Sequence, residues 1–171
     1  APANYQKKAQ GVMMTDNLGG NVDNITLGEL KPATWMGGSE WYRSTQKEQA
    51  NWPAENAPTG TMVQIAISYE YKPAASNTVV TIVRNGQRHA QYTAGSRPMD
   101  FGVGGVIGLG MGSFDMNGIS FEGRIDDARV YDVALSEKEI AELKPNKPSE
   151  SKPWAWWNFE NGKIEDVTGR Y

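Results

Sequence analysis

Three of the chain's six tryptophans, Trp35, Trp41 and Trp52, fall between residues 31 and 60 beside Glu40, Tyr42, Arg43 and Gln46. Flat indole faces stack on the apolar faces of sugar rings, while guanidinium, carboxylate and amide groups satisfy the surrounding hydroxyls. Together Trp35, Glu40, Trp41, Tyr42, Arg43, Gln46 and Trp52 predict a carbohydrate subsite. For any one tryptophan the competing reading is that it covers core beneath a long connection. Glu40 and Arg43 carry the polar recognition, provided that neither is merely the other's ion partner.

Covalent and acid–base chemistry has fewer residues to work with. Cysteine is absent, which excludes disulfides, thiolate metal sites and a cysteine nucleophile. The single histidine, His89, follows the Asn85-Gly86 turn with no nucleophile elbow near it, so it reads as an exposed or half-packed strand residue. Gly102, Gly104 and Gly105 lack the helix that follows a phosphate loop. Glycoside hydrolysis generally needs two carboxylates flanking one sugar. The nearest candidates are Glu122, Asp126 and Asp127, but Arg124 stands between Glu122 and Asp126 on one strand face. There it is expected to hold both ionised, which disfavours a proton-donating acid.

The elements that must position these residues are mostly short strands. Asn85-Gly86 between residues 78–84 and 87–92 is a strong hairpin signal, because a type I′ turn needs two positive-φ residues. Further strands are expected at 12–15, 25–30, 61–71 and 106–109. Residues 16–21 have turn chemistry, and the stretch 31–60 is long enough to be functional or to hold strands of its own. Phe121 to Tyr131 reads as a strand, and the pattern changes at Leu135. Ser136 and Glu139 form a capping box, Leu135 and Ile140 occupy the staple positions, and Lys144-Pro145 stops a helix over 136–144. Residues 1–10 are polar and weakly patterned, which suits a loose arm or part of an edge strand.

Several of these strings resemble one family. Phe121-x-Gly-x-Ile-Asp-Asp-Ala-Arg-Val-Tyr131 with Ala134-Leu135-Ser136 and Glu139-Ile140 is similar to the closing strand and helix of laminin G-like modules of the concanavalin A-like jelly-roll type. Ile82-Val-Arg-Asn85-Gly86 before Tyr92, Val106-Ile-Gly-Leu109-Gly110, and Trp156-Trp157-Asn-Phe159 with Asp166-Val-Thr-Gly169 agree with it. The resemblance covers most of residues 11–144 and implies an all-β sandwich of two antiparallel sheets with one short C-terminal helix. Such modules often carry a structural calcium. Asp126, Asp127 and Asp166, with carbonyls from nearby turns, are candidate oxygen ligands; pairing of Asp127 with Arg129 is the plain alternative.

The resulting organisation is a sandwich at 1–144, a proline-rich linker at 145–153 and a terminal segment at 154–171. That last segment resembles the first strand of such a module. It either folds back to complete this sandwich or begins a second module, and fold-back is favoured because an unpaired strand with three tryptophans would expose an aggregation-prone edge.

Composition limits the rest. The 171 residues suit one domain, and a net charge of −3 gives no reason to expect a nucleic acid. No apolar run approaches membrane-spanning length. Ala1-Pro2-Ala3-Asn4 reads either as a mature end left by signal cleavage or as the edge of a fragment. The segment around the linker resembles those joining laminin G-like modules in large exported bacterial glycoside hydrolases, including invertase and levanase relatives. The expected function is therefore non-catalytic carbohydrate binding in a secreted or cell-surface polysaccharide-degrading protein, with a tethered catalytic domain and fructan as one ligand. A protein-interaction or adhesion module is the main rival, and a hydrolase domain the lesser one.

Overall fold

A computed structural model describes residues 1–7, 9–17, 22–39, 51–95, 104–112 and 120–171. Its strands are β1 (Gln10–Asp16), β2 (Val22–Leu27), β3 (Trp35–Ser39), β4 (Ile65–Lys72), β5 (Asn77–Arg84), β6 (Gln87–Ala94), β7 (Val106–Leu109), β8 (Ala128–Val130) and β9 (Ala155–Trp157). One helix, α1 (Glu137–Glu142), joins the last two. The sheets are ordered β3-β2-β1-β7, β4-β5-β6 and β8-β9, and every strand pairing is antiparallel.

Strand register places the core. Met13 lies opposite both Ile25 and Leu109, and Ile25 lies opposite Gly37, so one face of the four-stranded sheet carries all four. Over its β2-β3 half Leu27, Trp35 and Ile25 pack against Val80, Ile82, Tyr92, Ile65 and Ile67 of the second sheet. Over its β1-β7 half Met13, Ile107 and Leu109 pack against Ala128, Ala155 and Trp157. The β4-β5-β6 and β8-β9 sheets thus form one layer against the other. This is the antiparallel sandwich with one short helix that the sequence predicts.

Local chemistry explains several of the joints. Asn85 and Gly86 take φ values of 50° and 75°, as the tight β5-β6 turn requires. Ser136 Oγ accepts from the Glu139 amide while the Glu139 carboxylate accepts from the Ser136 amide, which completes the capping box. Leu135 and Ile140 then bury against Val83 on the outer face of β4-β5-β6. Gly11 is required where it stands, because a Cβ there would lie 2.0 Å from the Gly112 nitrogen.

Three expectations change. Residues 121–127 are not strand; β8 spans only Ala128–Val130, with one isolated bridge at Ser120. The described residues among the first ten are fastened rather than loose. Ala3 N–H donates to the Glu122 carbonyl at 2.6 Å, and the fully buried Gln10 side chain donates to the Asn4 carbonyl and accepts from Glu122 N–H. The proline-bearing stretch 145–153 has no strand or helix, yet it is tied down. Arg129 donates to the carbonyls of Lys144 and Lys147, and Ser151 Oγ donates to Glu139.

Beyond that stretch, β9 pairs with β8 in the register Ala128↔Trp157, Arg129↔Trp156, Val130↔Ala155. Ala155 is completely buried, and the Arg129 guanidinium lies 4.6 Å from the centre of the Trp156 ring. Ala155–Trp157 is therefore strand-paired to Ala128–Val130.

Candidate functional site

Two strand features and one crossing segment build a cluster at the end of β5. Strand alternation turns Val80, Ile82 and Arg84 toward the sandwich interior and Val83 toward α1. In the β5-β6 ladder Ile82 faces Ala90 and Val83 faces Arg88, so His89 is the extra residue of a bulge. The extra residue brings His89 to the same side as its neighbour Ala90, while Arg88 keeps the outward parity of Val83. Arg88 consequently points outward to pair with Glu137 on α1, whereas His89 joins the interior side.

The segment 51–57 crosses this corner and is anchored by Glu55. Its carboxylate accepts five hydrogen bonds: from Trp35 Nε1, from Arg84 Nε and Nη2, each at 2.7 Å, and from the amides of Asn56 and Ala57. The Glu55 amide donates to the Ala33 carbonyl at 2.6 Å. Burial alone would raise the carboxyl's pKa, but the donors from Arg84, Trp35 and Ala57 outweigh it and hold the group at about 2. Glu55 is thus an anchor that is ionised at physiological pH. With every lone pair engaged it cannot serve as a base or a proton donor.

Trp52 leans on this anchor. It is half-buried, lies edge-on to His89 at 6.4 Å between ring centres and tilts over Tyr92 at 6.0 Å. Lys31 Nζ donates to its carbonyl at 3.2 Å. Burial, then repulsion from Arg84, pushes the His89 pKa down, with Glu55 offsetting part of it, so the imidazole is neutral at physiological pH. The corner presents an indole, a neutral imidazole and a partly exposed guanidinium, which suits hydrogen bonding and ring stacking.

The predicted site residues separate. Trp52 sits at this corner. Trp35 is 3% exposed with its indole N–H committed to Glu55, so it is a core residue with no face for a ligand. Glu40, Trp41, Tyr42, Arg43 and Gln46 lie outside the described residues. Sequence reasoning missed Glu55, Arg84 and His89 as a group. The one available signal was an arginine on the interior-facing parity of a strand beside a turn.

The calcium candidates accept hydrogen bonds from the chain itself. Both Asp127 oxygens accept from Arg129, at 2.8 and 2.7 Å, and one also accepts from the Asn146 amide. A cation there would face a buried guanidinium. Asp166 accepts from the amides of Trp156, Thr168 and Arg170 and from the Thr168 hydroxyl, which holds its carboxyl at about 2 against burial. Asp126 is exposed and only 3.5 Å from Asn146 Nδ2. Among the described residues no group of three or more His, Cys, Asp or Glu is placed to hold a metal.

Two of the candidate catalytic carboxylates are likewise paired, Asp127 as the alternative reading had it and Glu122 with a partner other than Arg124. Glu122 pairs with Lys7 at 3.1 Å and Asp127 with Arg129, while Arg124 forms neither of those ion pairs.

A family model of laminin G type, described as the concanavalin A-like lectin/glucanases superfamily, matches residues 3–141. No curated protein and no solved structure matches the chain.

Proposed function

Because the chain belongs to the concanavalin A-like lectin/glucanase superfamily, we propose that it is a non-catalytic carbohydrate-binding module centred on Trp52. The supporting observation is the placement of that side chain. A half-buried indole rests on His89 and Tyr92, beside a chain segment fixed by three hydrogen bonds from Trp35 and Arg84 to the Glu55 carboxylate. A platform fixed before the ligand arrives loses little side-chain entropy on binding. Arg84, whose side chain is 29% exposed, supplies the polar contact.

In this reading the module belongs to a secreted polysaccharide-degrading protein and concentrates substrate for a tethered catalytic domain, with fructan as one ligand. Weak affinity suffices for that role, because tethering supplies effective concentration. A protein-interaction module is the second reading. It would use the same half-buried indole against a side chain rather than a sugar ring.

The deciding experiment is affinity electrophoresis in levan, inulin and β-glucan gels, with wild type beside Trp52→Ala. Retardation of wild type that is lost in the variant supports the proposal. Retardation undiminished in the variant removes Trp52 from the site. Absence of retardation in every polysaccharide rejects the sugar-binding reading.

A further inference from the structure

The sequence holds three Asn-Gly pairs; Asn85-Gly86 and Asn161-Gly162 are described by the structure, and Asn117-Gly118 lies outside the described residues. In such a pair the chain can attack its own side chain. The glycine amide nitrogen adds to the asparagine carboxamide carbon, Cγ, and a glycine without Cβ leaves that approach open. Asn85-Gly86 and Asn161-Gly162 share this chemistry and differ in how the fold holds them. Asn85 is restrained on two sides. Its backbone N–H donates to the Gln64 carbonyl at 3.0 Å, and its Oδ1 accepts from the Gln64 amide at 2.8 Å, which fixes the direction of the carboxamide. Gly86 is pressed against α1, where an added Cβ would lie 3.0 Å from the Ala141 Cα. Bringing Asn85 Cγ onto the Gly86 nitrogen would break the bonds to Gln64 and disturb the closing pair Arg84↔Gln87.

Asn161 has neither restraint. It stands exposed in the short turn Glu160–Gly162, and its side chain makes no hydrogen bond among the described residues. A Cβ on Gly162 would meet nothing within 4 Å. Phe159, Asn161 and Gly162 take φ values of 51°, 58° and 68°. For a phenylalanine and an asparagine that left-handed region is unfavourable, so little is lost when the turn rearranges. At ψ 25° the Gly162 nitrogen lies away from Asn161 Cγ, and rotation of the turn is what brings the two together. The cost of that local opening sets the rate, and it is low here and high at the hairpin.

We propose that Asn161 is a site of self-modification, converted to aspartate and isoaspartate through attack by the Gly162 amide, while the fold protects Asn85. The Gly162 nitrogen forms a bond to Asn161 Cγ, the Cγ–Nδ2 bond breaks, and the Gly162 amide proton leaves with Nδ2 as ammonia. Water then opens the five-membered imide, adding hydroxyl to one of its two carbonyl carbons and a proton to the nitrogen. Opening at the backbone carbon carries the chain onward through Cγ as isoaspartate, and opening at Cγ gives aspartate. Either product sets a new carboxylate beside Glu160, whose Oε1 accepts from Asn146 Nδ2 at 2.8 Å. The change therefore falls on a contact between this turn and the stretch 145–153.

Incubation of the folded full chain in mildly alkaline buffer, sampled over weeks, tests this by tandem mass spectrometry, with isoaspartate counted by enzymatic methylation. Asn161 should convert about tenfold faster than Asn85 or more, with isoaspartate the larger product, because Asn85 reacts only when the hairpin opens. In concentrated guanidinium chloride the two rates should converge to within about threefold, since the protection at the hairpin is gone. Asn161→Gln should remove the product at that position and leave the rate at Asn85 unchanged. The proposal is overturned if Asn161 stays an amide throughout, or if Asn85 in the folded chain converts as fast. It is equally overturned if the tenfold difference persists in guanidinium chloride, which would assign it to neighbouring residues and not to the fold. Aspartate without isoaspartate would also overturn it, by showing direct hydrolysis in place of attack by Gly162.

Discussion

Arg84 grips Glu55 through two parallel hydrogen bonds of 2.7 Å, and the same carboxylate accepts a hydrogen bond from the indole N–H of Trp35. One buried charge therefore joins β3, β5 and the segment that carries Trp52. Bidentate pairing of this kind fixes geometry as well as supplying energy.

The stability of this grip depends on pH in a definite direction. Glu55 is held at about 2 instead of the usual 4.5, so its contribution is complete above about 4.5 and lost as pH falls through about 2. That contribution is about 3 kcal/mol. Urea unfolding of Glu55→Gln should show a loss of that order at pH 7 and a flatter decline in acid than wild type. Parallel acid profiles for the two proteins would contradict the assignment.

Trp35 and Trp52 should respond oppositely to truncation. Trp35→Ala removes a buried indole and one donor to Glu55, and should cost about 3–5 kcal/mol. Trp52→Ala, at a half-buried position, should leave melting within a few degrees of wild type while abolishing retardation by polysaccharide. Equal losses of stability in the two variants would show that Trp52 is structural.

His89 offers an unambiguous titration, because it is the only histidine. Its folded pKa lies below the ordinary 6.5, so the stability it contributes is present above 6.5 and lost as pH falls through the folded value. The imidazole proton resonance should titrate below 6.5 by NMR, and Arg84→Gln should move the midpoint upward. A midpoint at or above 6.5 in wild type would mean that the ring is not desolvated at the bulge.

Asp166 should behave as a structural knot rather than a metal ligand. Asp166→Ala removes the acceptors for three amides and a hydroxyl, and should lower stability by several kcal/mol. Wild type should melt at the same temperature in millimolar calcium and in excess chelator. A chelator-dependent fall in melting temperature would show that an ion displaces the Asp127–Arg129 pairing.

What was legible in the sequence was local. The Asn85-Gly86 turn declares itself because only particular residues accept two positive φ values, and the Ser136–Glu139 box because its partners are three residues apart. Trp35 misled because its polar neighbours suggested a surface loop, whereas its burial follows from pairing opposite Leu27. Phe121 to Asp127 has strand-forming residues, but residue type alone does not reveal whether a neighbouring strand lies within reach. Glu55 and Arg84, twenty-nine residues apart, meet only because β5 and the crossing segment converge. Arg129 likewise had a visible partner in Asp127, yet its hold on the Lys144 and Lys147 carbonyls had no sequence signal.

The pairing of β9 with β8 changes the meaning of the proline-bearing stretch before it. A leash lets two bodies drift apart, but residues 145–153 are stitched to the sandwich at both ends, by Arg129 at one and by the Trp154 amide on the Val130 carbonyl at the other. They lend no reach. The orientation of Ala155–Trp157 is therefore set by the sheet itself and not by the length of the stretch before it.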